Sequence, residues 1–384
     1  MYIVGRLISL FIYLFVLIIF CDLIAKSKNS KEIKRILLIY ILVLGIMGYF
    51  FIPHTGADLY RLLNTMKYYS DGNLITIKDK VLKSSTPGTG LYLGLIGKIH
   101  NDNFLPAISA IITFSFCFSI LKSESNETDA NPMYIALALF SFMSRGLMMQ
   151  IISNIRTIMA LSICAFCVYI EFYKKKKLIF IFPLYILGAS LHVMGQVVLL
   201  YRIIFLIIEK AKNPVQVIFR LICSGVLCGV IWIYGQKYIL ALFEKGDNYV
   251  SIASSGDGYT YVWERILSVM SLLLTIYFLK KFFGYKRTYN KEFSNDEPTL
   301  SLVRYICPLI IIDVIIFFIE FNFFLRLSWY ICILTMPLMI STFKLVNNEN
   351  EEKTLKENTV VYCTLMLALA CARGDLCSLK FFEL

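Results

Sequence analysis

The chain has 384 residues, of which 58% are hydrophobic and 17% charged, and it carries a formal net charge of +12. Its mean hydropathy is +0.70. A soluble domain has roughly 45–50% apolar and about 25% charged residues, so this composition excludes a soluble enzyme and points to an integral membrane protein. Apolar runs recur along the whole length and are continuous rather than alternating, so helices and not a barrel are indicated. Lys and Arg cluster in short connections such as Lys174 to Lys177. That pattern is the positive-inside bias of cytoplasmic loops, and no nucleic-acid partner is called for.

The expected fold class is all-α, a polytopic transmembrane helix bundle of about twelve spans, within roughly 10–14. In chain order the runs lie at 4–24, 36–52, 104–121, 132–149, 155–172, 178–190, 193–209, 214–235, 263–281, 301–319, 325–343 and 358–372. The first run has no small-residue cleavage site and is expected to be retained. Basic residues sit after the first run (Lys26 to Arg35), the fifth (Lys174 to Lys177), the seventh (Lys210, Lys212) and the ninth (Lys280 to Lys291), and before the last (Lys344 to Lys356). If the runs alternate, all these fall on one side, read as cytoplasmic, and both termini face out. Residues 178–209 are either one long helix or two short spans turning near Gly188 to His192, and the basic clusters at both ends favour the hairpin. The chain reads as one polytopic domain, 1–384, with long outward segments at 53–103 and 236–262. Within the first, Asp58 to Tyr69 is expected to form an amphipathic helix at the interface. Residues 122–131 and 345–357 read as polar connectors.

Just past the second run, Pro53-His54-Thr55-Gly56-Ala57-Asp58-Leu59-Tyr60-Arg61 gathers a histidine, a carboxylate, a tyrosine and a guanidinium. Ionisable residues at the edge of a span are functional candidates by default. On this topology the other informative polar residues share the same outward face. Arg145, Asn154 and Arg156 flank the turn after the fourth run, and His192 sits at the next outward turn. Glu264 and Arg265 open the ninth run. Glu320, Asn322, Arg326 and Tyr330 follow the tenth. Each has a plain alternative. Asp58 and Arg61, three apart on a helix, pair locally or serve a site. Arg145 and Arg156 snorkel to headgroups or bind phosphate, for which the guanidinium fork is suited. His192 is a hydrogen-bonded structural residue or a substrate contact. Glu320 and Arg326 either pair with each other or contribute to a site. His100 and the intramembrane Asp313 read as structure.

Most cysteines lie in apolar runs, where cysteine packs as a small hydrophobe. Cys164-Ala165-Phe166-Cys167 has CxxC spacing but no second pair, so packing is preferred to a metal or redox site. Whether Cys371 and Cys377 pair is left open by the sequence. No glycine-rich nucleotide loop, HExxH, GxSxG or DxD metal site is present, so no metal or cofactor is expected. The substrate is expected to arrive through the membrane or from outside.

Four short motifs, in order, resemble a known family. Thr55-Gly56-Ala57-Asp58-Leu59-Tyr60 is similar to the G-x-D motif that follows the second span in EpsG-family, Wzy-like polysaccharide polymerases. Asn154-Ile155-Arg156-Thr157-Ile158-Met159-Ala160 resembles their N-x-R-x-x-x-A stretch, Ala189-Ser190-Leu191-His192 their A-x-x-H turn, and Arg326-Leu327-Ser328-Trp329-Tyr330 their late R-x-x-x-Y segment. The chain departs from the pattern at Met194-Gly195-Gln196 after the histidine, and the tail from Arg373 matches nothing in it. The resemblance implies a glycosyltransferase of the bacterial cytoplasmic (plasma) membrane, and a GT-C-like architecture is compatible with it. The enzyme would join polyprenyl-diphosphate-linked oligosaccharide repeat units of a capsular, exopolysaccharide or O-antigen-type polymer at the outer face. Asp58 or His192 would serve as general base. Arg156, Arg326 and, more weakly, Arg145 would bind the diphosphate, and Arg61, Tyr60, Asn154 and Tyr330 would line the glycan site. Membrane lipids, a flippase and a chain-length regulator are the partners it admits. The competing readings are a flippase of the same lipid-linked sugars and a membrane O-acyltransferase.

Overall fold

The computed structural model describes residues 2–52, 58–71, 74–82, 84–126, 131–145, 148, 151–152, 154–209, 215–216, 219–220, 222, 225, 258–289, 298–372 and 380–381. The regular elements among them are helical. Helices α1 (Tyr2–Ala25) and α2 (Ser30–Tyr49) are followed by three shorter helices, α3 (Asp58–Ser70), α4 (Leu74–Leu82) and α5 (Pro87–Gly97). Next come α6 (Phe104–Glu124), α7 (Pro132–Ser144) and α8 (Ile155–Val168), which runs on into a π-helical turn, Tyr169–Tyr173. Helices α9 (Leu178–Leu191), α10 (Val193–Glu209), α11 (Gly258–Thr288), α12 (Pro298–Phe317), α13 (Phe321–Leu345) and α14 (Glu349–Ala372) follow. Among the described residues six stretches are long and apolar enough to cross a membrane, within α1, α6, α8 with its π turn, α11, α12 and α13. Helices α7, α9 and α10 are shorter and apolar. The run expected at 214–235 and most of the segment at 236–262 lie outside the described residues. Residues 258–262, expected in that outward segment, instead open α11.

Local chemistry sets several boundaries. The Asn29 side chain accepts from the Glu32 N–H at 2.9 Å, and the Glu32 carboxylate accepts from the Lys28 N–H at 2.8 Å. This reciprocal cap starts α2 ahead of its apolar stretch. Asn131 caps α7 through the Met133 N–H, with Pro132 at the first helical position. The connector expected at 345–357 is mostly helix, because α14 begins at Glu349. Glu349, Glu351 and Glu352 sit where the helix dipole favours negative charge, and Lys356 pairs with Glu352 one turn on.

The core is organised around α13, whose most apolar window is 89% buried, against 28% for α1. A helix that is apolar all round belongs inside, and α13 touches α6, α7, α8, α11 and α12. Helix α1 lies at the rim, presenting Val4, Leu7, Phe11, Phe15 and Ile18 outward, an apolar band suited to lipid. Helices α2 and α6 approach closely through Gly45 and Gly48. A Cβ on Gly48 would lie 3.0 Å from the Pro106 carbonyl oxygen, and small residues at such crossings let helix backbones come together.

Residues 178–209 resolve into a helical hairpin. The chain breaks at His192, which is extended (φ −156°, ψ 151°), and α9 and α10 pack on each other. The turn is tight enough that a Cβ on Gly195 would stand 2.2 Å from the Gly188 carbonyl oxygen. Two carboxylates lie in the bundle near the π turn. Glu171 is clamped by the Arg202 guanidinium through two hydrogen bonds, that from Nε at 2.9 Å, and accepts from the Tyr185 hydroxyl at 3.0 Å. Glu124 accepts from Tyr169 at 2.6 Å and Tyr173 at 3.2 Å, with Lys344 at 3.6 Å. A π turn offers side-chain positions that a regular α-helix would not, and this one directs Tyr169 and Tyr173 to Glu124 and its own Glu171 to Arg202.

Candidate functional site

The hairpin apex and the start of α8 meet. Asn154 occupies the N-cap position of α8, its carbonyl accepting from the Ile158 N–H at 3.1 Å. Arg156 lies on the first helical turn and is half-buried; among the described residues it makes no hydrogen bond or ion pair. Beside it Thr157 is buried, its hydroxyl 3.2 Å from His192 Nε2. The other imidazole nitrogen, Nδ1, accepts the Met194 N–H at 3.1 Å and so caps α10. A neutral ring whose Nδ1 accepts must carry its proton on Nε2, and therefore donates to Thr157; this tautomer is assigned from the hydrogen bonds.

Helix α5 clamps the same apex. The Thr89 hydroxyl donates to the Leu191 carbonyl, and the Gln196 amide donates to the Ser85 carbonyl at 3.3 Å. Gly88 leaves room for Ser190, whose Oγ would be 2.2 Å from a Cβ there. Residues 85–89, at the start of α5, are thus fastened to the point where His192 and Thr157 join.

Arg145 does not present its guanidinium to solvent. It is 2% exposed, at the end of α7. It donates to the Ser328 carbonyl and hydroxyl, both at 2.7 Å, to Ser268 at 3.0 Å and to Ser271 at 3.2 Å. These bonds make Arg145 part of a buried joint between α7, α11 and α13. Asp313 on α12 is fully buried, and neither carboxylate oxygen has a hydrogen-bond partner among the described residues; the Arg145 charge is near enough to act on it. Tyr330 is likewise buried, its hydroxyl 3.0 Å from that of Tyr305. Arg326 is half-buried on α13, two residues before Ser328, and the Arg145 joint holds that part of α13. The expected pairing of Glu320 with Arg326 is replaced by a cap, for the Glu320 carboxylate accepts from the Asn322 and Phe323 N–H groups at the start of α13.

Asp58 opens α3 and Arg61 donates to it at 2.9 Å, the local pair that their spacing allows. Tyr60 is exposed beside them. His54 lies outside the described residues. The structure therefore joins the Asn154–Thr157 and Ala189–His192 segments directly and leaves Asp58 on a separate helix. Thr157 escaped the sequence reading because a threonine in an apolar run carries no signal, although it adjoins Arg156. Ser268 and Ser271 were legible as a hydroxyl pair at helical spacing, but their partner was not.

Cys164 and Cys167 are both buried in helix packing, with Cys164 Sγ against Gly188, which accounts for their spacing without redox chemistry. Cys377 lies outside the described residues. Among the described residues no cluster of His, Cys, Asp and Glu could hold a metal.

Residues 54–378 match the EpsG family model. The chain belongs to the EpsG family. Membership, with the apolar helices, makes it a multi-pass membrane protein and points to a polysaccharide polymerase of exopolysaccharide biosynthesis. The EpsG match starts at His54, so α1 and α2 precede it. No curated protein and no solved structure matches the chain.

Proposed function

We propose that the protein polymerises exopolysaccharide at the outer face of a bacterial plasma membrane. The units are oligosaccharides carried on polyprenyl diphosphate. The observation that carries this reading is Arg156, a half-buried guanidinium with no hydrogen bond or ion pair among the described residues, beside the Thr157–His192 hydrogen bond. A half-buried guanidinium with no ion pair among the described residues is open to an anion, and a diphosphate is the anion that a guanidinium fork fits.

The reaction transfers the growing glycan from its lipid diphosphate to a hydroxyl of a new unit. Asp58 takes the hydroxyl proton, the acceptor oxygen bonds to the anomeric carbon, and the anomeric C–O bond breaks. The electron pair leaves on the polyprenyl diphosphate, whose charge Arg156 and Arg326 stabilise. Such stabilisation is usually the largest catalytic contribution, and a general base adds about 10²–10⁴-fold. His192 is assigned to positioning rather than to the base, because Nδ1 caps α10 and Nε2–H is directed at Thr157. Arg145 and Tyr330 belong to the scaffold, and Tyr60, Arg61 and Asn154 line the approach. A flippase would need charged residues through the bundle. Arg202 and Glu171 are such residues, but they pair with each other.

Purified protein incubated with lipid-linked repeat units should extend them without nucleotide or added metal. Asp58→Asn should abolish extension while the protein still inserts; full-length polymer from that variant at wild-type level removes Asp58 as base. Arg156→Lys keeps the charge and loses the fork, so activity equal to wild type would rule out bidentate diphosphate binding.

A further inference from the structure

The tail returns to the other end of the chain. The Ile52 N–H donates to the Lys380 carbonyl at 2.8 Å, and the Phe381 N–H donates to Ser9 Oγ at 3.0 Å. Ser9 is fully buried, and its hydroxyl donates to the Gly5 carbonyl at 2.8 Å. Phe381 is 6% exposed and packs with the core. Two consecutive tail residues thus bond to α1 and to the chain just beyond α2, and neither tail residue lies within the family match, which ends at 378. A surface tail is ordinarily loose; a buried aromatic ring flanked by two backbone hydrogen bonds is a seated one.

We propose that Lys380 and Phe381 form a strap that positions the segment carrying Asp58. Ile52 and Asp58 are six residues apart, a reach of about 20 Å at full extension, so the place where Ile52 is pinned limits where α3 can begin. The far end of the segment is held by α3, which buries Leu59, Leu62 and Met66. Phe381 acts through this segment and does not touch substrate. The functional half of the proposal rests on the reading of Asp58 as general base; the contact itself does not.

Three measurements on the full-length membrane protein test it. The double variant Ser9→Cys/Phe381→Cys should form a disulfide on mild oxidation, seen as two fragments held together after cleavage at a site engineered between them. Leu59→Cys, buried at the start of α3, should react faster with a membrane-impermeant maleimide when Phe381→Ala is added. Phe381→Ala, inserted at wild-type level, should also lower polymer formation about tenfold, since small displacements of reacting groups carry large rate penalties. Phe381→Leu, which refills the seat, should restore both readouts. Failure of the disulfide overturns the contact. A disulfide with unchanged labelling and unchanged polymer in Phe381→Ala overturns the positioning role. If wild-type protein extends no lipid-linked glycan, the proposed reaction falls, while faster labelling in Phe381→Ala would still uphold the strap.

Discussion

Arg145 and Arg156 look alike in the sequence, each an arginine near an outward turn, yet the structure gives them opposite surroundings. Arg145 spends its fork on three serines, with bonds of 2.7–3.2 Å. A hydrogen bond to a charged group contributes about 1.5–3 kcal/mol, and a lysine cannot reach the same set. Arg145→Lys should therefore cost about 2–4 kcal/mol of stability, read as a lower unfolding temperature in detergent, whereas Arg156→Lys should leave that temperature unchanged and lower activity. His192 allows a similar separation. Asparagine is a good N-cap, so His192→Asn should keep α10 within about 1 kcal/mol while losing the contact with Thr157. Activity should drop about tenfold, short of the 10²–10⁴ expected for a base; a loss of the full size would return His192 to the base role. The sequence exposed these residues but not their duties. What separates Arg145 from Arg156 is Ser268, Ser271 and Ser328, more than a hundred residues away along the chain, and no local pattern brings them near.

The elements that carry the site were legible where composition alone decides them. The continuous apolar runs gave the bundle helices, and the amphipathic stretch from Asp58 gave a helix over Asp58–Ser70. The basic clusters at both ends of 178–209 favour a hairpin over one long helix, but apolar content, which is the same for both, does not show how its apex closes. That closure rests on Gly188 and Gly195, which approach across the turn closely enough to exclude a side chain at 195. The obstacle there is backbone, which cannot swing aside as a flexible side chain would. Gly195→Ala should thus open the apex, at a cost of about 1–3 kcal/mol or more from overpacking. It should also separate Thr157 from His192. A thermal-shift measurement checks the first effect. A Thr157→Cys/His192→Cys cross-link, formed in the wild-type background and reduced in Gly195→Ala, checks the second. The connector at 345–357 misled for a different reason. Its charges suggested solvated coil, but they are arranged as acidic first turn and i,i+4 pairs, so the same residues that speak for water also cap and support a helix.

At the scale of the whole molecule, two independent features bear on the proposed orientation. Basic residues recur on alternate connections in the sequence reading, the pattern of cytoplasmic loops. Separately, the tail meets α1 at Ser9 and the chain after α2 at Ile52, so the start of the first helix, the end of the second and the tail lie together. An even number of crossings between Ile52 and Lys380 would satisfy that meeting, and it is the parity that the twelve-run reading of the sequence carries. The arrangement matters for mechanism, since a lipid diphosphate presented at the outer leaflet reaches Arg156 only if α8 begins there. Lys175→Cys, in the exposed turn after the π helix, should be labelled by impermeant maleimide only in inverted vesicles. Tyr60→Cys, on the exposed face of α3, should be labelled only in right-side-out cells. Both variants are made in a background where the partly buried Cys21, Cys307 and Cys371 are replaced by serine. Labelling of both positions from one side would break the parity, and labelling of Tyr60→Cys from the cytoplasm alone would move the site to the face where nucleotide-activated sugars, rather than delivered repeat units, are the available donors.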